Sequence, residues 1–353
     1  MNIKSELIVS SQTMNEETTA IVKELLSSQK RIVIVGHKNP DGDAIGGCLG
    51  LNYFLNSLGH KATVIVPNDF PDFLKWLPGC SNVVIHENDI ATSLKLIEEA
   101  ELFFTLDFNS LDRVGSMTNP LSASDKPFIM IDHHQAPEAY AVATYSDVSM
   151  SSTSQMVYQF IEALDGLNKL SPEISTNLYC GIMTDTGSFR YPLTTPKTHR
   201  VIAHLIEAGA NNAVIHQNIY DTNSPDRMKL LGVALQNLKI LPEFKTAYIS
   251  LSQKELDSNN FKKGDTEGFV NYALSVEGII FGVIFIENKQ EQIVKMSFRS
   301  KGGFSVNDFA RNHYHGGGHI NAAGGRSSKT LIETIDEFIS ILPRYKKELF
   351  HDS

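Results

Sequence analysis

With 353 residues, a net charge of −9, 42% hydrophobic and 20% charged side chains, the chain has the make-up of an ordinary globular protein and the length for two domains. Three cysteines, Cys48, Cys80 and Cys180, without any C-x-x-C spacing exclude a disulfide framework and a zinc ribbon and suit a reducing compartment. From Pro242 onward 14 Lys and Arg balance 14 Asp and Glu, so the acidic excess lies wholly before that point, which disfavours long duplex nucleic acid and suits a site that gathers cations.

In chain order, the polar stretch 1–19 lacks the apolar run of a cleaved signal. Residues 16–30 have helical spacing, and 31–36 (Arg-Ile-Val-Ile-Val-Gly) read as a buried strand. After His37 to Asp43 comes a small-residue helix over 44–58, closed by Gly59, then a strand over 61–66. Loop-rich residues 67–80 lead to a short strand, 82–85, a helix, 89–99, and the strand 102–106, which runs into Asp107. The apolar run 127–131 is a further strand ending at Asp132-His133-His134, followed by helices over 151–164 and 172–183 and a turn, 184–189, that contains Asp185.

Residues 196–241 are largely helical and read as a connector. Beyond them, strands are expected over 247–251, 278–286 and 293–299, with helices over 266–274, 306–312 and 331–342. The run 278–286, the longest strongly apolar one, is far short of the roughly 20 residues a membrane helix needs, so the expectation is a cytoplasmic protein with no membrane partner. The fold class expected is α/β: a mainly parallel doubly wound sheet in residues 1–195, the helical connector 196–241, and a smaller mixed α/β domain in 242–353.

The chemistry concentrates at predicted strand ends, where ligands bind in an open α/β sheet. His37, Asp41 and Asp43 follow one strand, Asp107 a second, and Asp132, His133 and His134 a third. Carboxylates gathered there repel unless they are protonated or neutralised by divalent cations, and two cations is the economical number. Oxygen and imidazole donors without thiolate favour Mn²⁺ or Mg²⁺ over structural zinc, with Fe²⁺ and Co²⁺ chemically acceptable. The plainer reading of Asp41 and Asp43 as helix caps weighs little against the full set.

A second cluster lies downstream. Arg299 ends a predicted strand, and Gly316-Gly317-Gly318-His319 precedes Asn321-Ala322-Ala323-Gly324-Gly325. Consecutive glycines give a phosphate or base close access to backbone N–H groups, although a glycine run by itself reads as a flexible turn. His313, His315 and His319 have no zinc-finger spacing.

His37-x3-Asp41-x-Asp43, Asp107, Asp132-His133-His134 and Asp185 resemble, in order and spacing, the four motifs of the DHH phosphoesterase family. Gly-Gly-Gly-His followed by Ala-Ala-Gly, with Arg299 upstream, resembles the DHH-associated C-terminal domain. The resemblance implies a parallel sheet with helices on both faces and two Mn²⁺ ions. It implies that His37, Asp41 and Asp107 hold one ion and that Asp43, Asp107, His133 and Asp185 hold the other, with Asp107 as the bridge. Asp132 would orient the site and His134 face the substrate phosphate, making Asp107, Asp132 and His134 the catalytic set. Arg299, Gly316, Gly317, Gly318 and His319 would bind a terminal phosphate or base. Apart from the resemblance, the helical connector invites the hypothesis of a hinge.

An inorganic pyrophosphatase would lack the glycine-rich domain, a RecJ-like exonuclease would be longer, and a membrane-bound cyclic dinucleotide phosphodiesterase would carry membrane helices. What remains resembles the nanoRNases, which hydrolyse short single-stranded oligoribonucleotides to mononucleotides and dephosphorylate 3′-phosphoadenosine 5′-phosphate (pAp). Two alternatives stand beside it: a soluble phosphodiesterase for cyclic di-AMP or its linear product pApA, and a non-catalytic nucleotide or RNA-binding protein, whose mark would be missing ligands. A homodimer is left open. His60, His86, His199, His204, His216 and His351 match no motif; Arg113 and Arg190 read as structural ion pairs, and Trp76, Phe103 and Phe104 as packing residues.

Overall fold

The computed structural model describes residues 14–351, so most of the polar N-terminal stretch lies outside the described residues. They form two compact units, the first reaching Thr222 and the second starting at Asn223.

The first unit runs α1 (Glu16–Leu25), β1 (Arg31–Gly36), α2 (Gly42–Ser57), β2 (Lys61–Val66), β3 (Val84–Ile85), α3 (Ile90–Glu99), β4 (Leu102–Leu106) and α4 (Thr118–Ser122). It continues through β5 (Phe128–Asp132), β6 (Ala143–Ser146), α5 (Thr153–Ala163), α6 (Pro172–Asp185), α7 (Pro196–Glu207) and α8 (Asn212–Tyr220). All six strands pair in parallel, in the order β3-β2-β1-β4-β5-β6. The order reverses between β1 and β4, and at such a switch point the connections leave to opposite faces and open a crevice at the carboxyl ends.

Alternation along the strands feeds two cores. Ile32, Ile34, Phe104, Leu106, Ile129 and Ile131 pack with α2, α5 and α6 on one face, while Val33, Val35, Phe103 and Phe128 pack with Ile97 and Leu121 on the other. With both faces covered, each strand reads as an unbroken apolar run. Helices α2 and α6 meet backbone to backbone: a Cβ on Gly46 would stand 2.5 Å from the Asn177 carbonyl oxygen.

Some elements differ from expectation. The first helix stops at Leu25 because residues 27–30 (Ser-Ser-Gln-Lys) offer no apolar side chain to bury. β6 was not anticipated; it is a half-polar edge strand of four residues with two partly exposed positions. Asp185 is the last residue of α6 rather than part of the following turn.

In the second unit the order is α9 (Pro225–Gln236), β7 (Lys239–Leu241), β8 (Thr246–Leu251), α10 (Gln253–Ser258), α11 (Val270–Ser275), β9 (Phe281–Asn288) and β10 (Ile293–Ser300). α12 (Val306–His313), β11 (Gly317–His319), β12 (Ala322–Ser327), α13 (Leu331–Ile341) and α14 (Lys346–His351) complete it. The sheet order is β11-β12-β10-β9-β8-β7. Only β8 and β9 pair in parallel, so this sheet is mixed. Phe281, Phe298, Phe309 and Phe338 fill one core, and Leu230, Ile249, Phe269 and Ile284 the other.

α11 starts later than its apolar pattern suggests, because Gly264 and Gly268 adopt φ of 99° and 80°, outside the right-handed helix. The glycine run, which by itself reads as a flexible turn, forms an edge strand, β11, paired with β12. Among the described residues no helix is long and apolar enough to cross a membrane.

Candidate metal centre

Three strand ends carry the site. After β1, the Lys38 N–H donates to the Arg113 carbonyl at 2.8 Å. Asn39, at φ 56°, is held by buried Asn68, which accepts from its N–H at 2.7 Å and donates Nδ2 to its Oδ1 at 3.1 Å. This tight loop delivers Asp41 to the N-cap of α2, where Oδ1 accepts from the Asp43 and Ala44 N–H groups, and places Asp43 in the first turn.

Asp107 follows β4 at φ 66°, a left-handed conformation that costs a non-glycine residue about 1–2 kcal/mol and tends to be kept at functional sites. Its carboxylate stands between two imidazoles. Oδ2 is 3.4 Å from His37 Nε2 and Oδ1 is 3.5 Å from His133 Nε2. His37 Nδ1 bonds the Lys38 carbonyl at 2.9 Å, and His133 Nδ1 bonds the Met150 carbonyl at 3.2 Å. A ring whose Nδ1–H is given to a carbonyl presents Nε2 to a ligand.

Three groups of donor atoms share Asp107, each with its atoms within 4.8 Å of one another: His37, Asp41 and Asp107; Asp43, Asp107 and His133; and Asp107, Asp132 and His134. Asp185 adjoins the second group, its Oδ2 3.5 Å from His133 Nε2. Asp132, fully buried, grips His134 twice: Oδ1 meets Nδ1 at 2.7 Å and Oδ2 accepts the His134 N–H at 3.1 Å.

The electrostatics show how crowded this is. Burial, with Asp107 and Asp185 nearby, pushes Asp43 well above the usual carboxylate range. Asp185 rises to about 7 through burial and the charges of Asp41 and Asp107. Asp107 moves the other way: burial would raise it, but His133, His37 and His134 hold it well below normal. Burial would lower His37, yet Asp107 and Asp41 raise it to about 9. These opposed shifts mark crowded charge of a kind that divalent cations would compensate. Oxygen and imidazole donors in this number fit Mn²⁺ or Mg²⁺.

The residues expected to contact substrate lie in the second unit, on its sheet. Arg299 on β10 pairs with Ala322 on β12, which pairs with His319 on β11. The three share one cross-strand row and therefore one face, with the small Ala322 between the Arg299 and His319 positions. Arg299 Nη1 donates to the Phe298 carbonyl at 3.0 Å. The glycines have a packing reason that sequence reading missed: a Cβ on Gly316 would lie 1.9 Å from the Gly324 oxygen, and one on Gly318 would lie 2.4 Å from the Ala322 oxygen. Gly317 sits between them, paired with Gly324.

Sequence reading also missed Asn68 and the start of α5. Ser151-Ser152-Thr153-Ser154 looks like cap material, yet all four residues are buried, and nothing in the sequence pattern marks that burial. Arg190, expected in an ion pair, instead donates Nε to the Gly187 carbonyl at 2.8 Å.

Residues 31–182 match the DHH family, N-terminal domain, and residues 244–348 match the DHHA1 domain. A bifunctional oligoribonuclease and PAP phosphatase NrnA of Thermus thermophilus is 32% identical over 87% of this chain and 88% of its own length. The chain belongs to the DHH family. A solved exopolyphosphatase-related protein from Bacteroides fragilis shares the fold of this DHH chain at a TM-score of 0.91, with 38% identity over 95% of this chain and 98% of the other. A cyclic-di-AMP phosphodiesterase PdeA of Listeria monocytogenes is 24% identical over 92% of this chain but only 49% of that protein.

Proposed function

We propose that this protein is a Mn²⁺-dependent phosphoesterase that hydrolyses short oligoribonucleotides to mononucleotides and dephosphorylates pAp, acting in the cytoplasm. The observation that carries the reading is that a single buried carboxylate, Asp107, stands between two groups of metal-type donors. The similarity to the Thermus thermophilus NrnA along most of both chains supports the substrate class.

His37, Asp41 and Asp107 hold one ion in this reading, and Asp43, Asp107, His133 and Asp185 the other. Ions held by these residues would supply an acidified water as nucleophile and charge compensation for the phosphoryl oxygens. The chain's own part is positional. Its left-handed backbone keeps Asp107 between the two imidazoles, and the carbonyls of Lys38 and Met150 fix the His37 and His133 rings with Nε2 inward. Asp132 takes His134 Nδ1, which leaves Nε2 to meet the substrate phosphate or its leaving oxygen. No side-chain nucleophile is needed. Arg299, with its planar fork of donors, and Gly316 with the Gly317–His319 strand recognise a phosphate or base of the nucleotide.

Chelator-stripped protein resupplied with Mn²⁺ tests this on di- to pentaribonucleotides, pAp, pApA and cyclic di-AMP. The expected result is Mn²⁺-dependent release of mononucleotides and, from pAp, of phosphate. A strong preference for cyclic di-AMP or pApA selects the phosphodiesterase alternative, and binding of nucleotides without any hydrolysis selects the non-catalytic one.

A further inference from the structure

The N-terminus of α5 touches two of the acids. The Thr153 and Ser154 N–H groups donate to Asp43 Oδ2 and Oδ1 at 2.6 and 2.8 Å. Thr153 Oγ1 donates to Asp107 Oδ1 at 3.0 Å, and Ser154 Oγ donates to the Asp43 carbonyl at 3.2 Å. Thr153 and Ser154 have no exposed surface, and Asp43 and Asp107 keep only 1% and 2% of theirs. Ser152 caps the helix by accepting from the Gln155 N–H at 3.0 Å, so the first-turn donors that a helix normally leaves to water are available for the carboxylate. Gly181 makes the approach feasible, since a Cβ there would stand 1.9 Å from Ser154 Oγ.

We propose that Thr153 and Ser154 are positioning residues of the metal centre: the start of α5 fixes both oxygens of Asp43, and the Thr153 hydroxyl fixes Asp107 Oδ1, so that this helix end sets how tightly the site holds divalent cations. The inference rests on the metal-centre reading above. Donors to a ligating carboxylate orient it and hold its lone pairs in the coordinating geometry, and removing such a partner costs about 10- to 100-fold in metal affinity. Thr153 is the testable member because its donor to Asp107 is a side chain.

The test is calorimetric titration of Mn²⁺ into chelator-stripped protein, comparing wild type, Thr153→Val and Thr153→Ser, with the urea midpoint and the kcat and KM for pAp measured alongside. Thr153→Val keeps the shape and removes the donor; Thr153→Ala replaces it if the valine variant does not fold. The expected result is a Mn²⁺ affinity about 10- to 100-fold weaker in the variant lacking the hydroxyl. The KM for pAp should be unchanged, kcat should be lost at low Mn²⁺ and restored by excess, and Thr153→Ser should bind near wild type. Wild type that takes up no Mn²⁺ overturns the metal-centre reading and this inference with it. Wild type that binds Mn²⁺ while Thr153→Val binds equally well, or Thr153→Ser binding as weakly as Thr153→Val, overturns this inference alone.

Discussion

Replacing Gly181 with alanine sets two opposed effects against each other. Gly181 lies inside α6, and alanine is the better helix former there by about 1 kcal/mol. Against that gain, the new Cβ would stand 1.9 Å from Ser154 Oγ, 2.7 Å from Ser154 Cβ and 3.0 Å from Asp43 Oδ1, none of them the tip of a long side chain that can swing aside. Overpacking of this kind costs about 1–3 kcal/mol, and pushing Ser154 Oγ off the Asp43 carbonyl forfeits a hydrogen bond worth about 0.5–1.5 kcal/mol. The net expectation is a loss of about 0.5–3.5 kcal/mol together with weaker Mn²⁺ binding. Gly232, inside α9, has nothing within 4 Å of a built Cβ, so Gly232→Ala shows the propensity term alone, a gain of about 0.5–1 kcal/mol. Urea unfolding read by the fluorescence of the single tryptophan, Trp76, reports the first unit and circular dichroism the whole chain. A Gly181→Ala protein that unfolds at or above the wild-type urea concentration refutes the packing argument.

Arg299→Ala should raise KM for pAp by about 10- to 100-fold, corresponding to a lost charge-assisted hydrogen bond of about 1.5–3 kcal/mol, while hydrolysis of bis(p-nitrophenyl) phosphate stays unchanged; equal losses on both substrates would remove Arg299 from nucleotide recognition. Mn²⁺ at about 100 times its dissociation constant should stabilise the first unit by about 2.7 kcal/mol for each ion held, visible as a raised Trp76 transition that EDTA reverses, and an unmoved transition would contradict a native metal site. The thiols should be inert in the folded protein. Burial pushes Cys80 up to about 11 and raises Cys48 and Cys180 as well, with nearby aspartates adding to the shift, so a thiol reagent at pH 8 should label none natively and all three after unfolding; fast labelling of Cys48 or Cys180 in the native protein would show that the α2–α6 seam opens.

Much of the first unit was legible in the sequence because its central strands are covered on both faces, which makes the runs ending at Gly36, Leu106 and Asp132 continuous and apolar. His37, Asp41, Asp43, Asp107, Asp132, His133 and His134 lie at those ends, so identifying the strands brought these candidates with it, whereas Asp185 ends the helix α6. What escaped was encoded in contacts rather than in residue type. β6 has only four residues at a sheet edge and a half-polar face, too little periodicity to recognise. β11 and β12 are built from glycine and alanine because their backbones approach closely, and a pattern without side chains has no alternation to read. Thr153 and Ser154 were hidden by a general habit: Ser and Thr before an apolar helix normally cap it, and only the fold shows that these two face Asp43 and Asp107. Asp107 itself was visible by position, whereas its left-handed backbone is set by the surrounding packing and leaves no mark in the sequence.

The most direct test of the account is the number of Mn²⁺ ions bound by wild type and by Asp107→Asn, counted by calorimetry and by electron paramagnetic resonance on the same samples used for pAp hydrolysis. Asparagine keeps the size of the side chain and removes the charge that lies 3.4 Å from His37 and 3.5 Å from His133. The account predicts two spin-coupled Mn²⁺ ions in wild type, and in Asp107→Asn the loss of both tight sites together with activity. Full turnover with both ions retained in Asp107→Asn would contradict it.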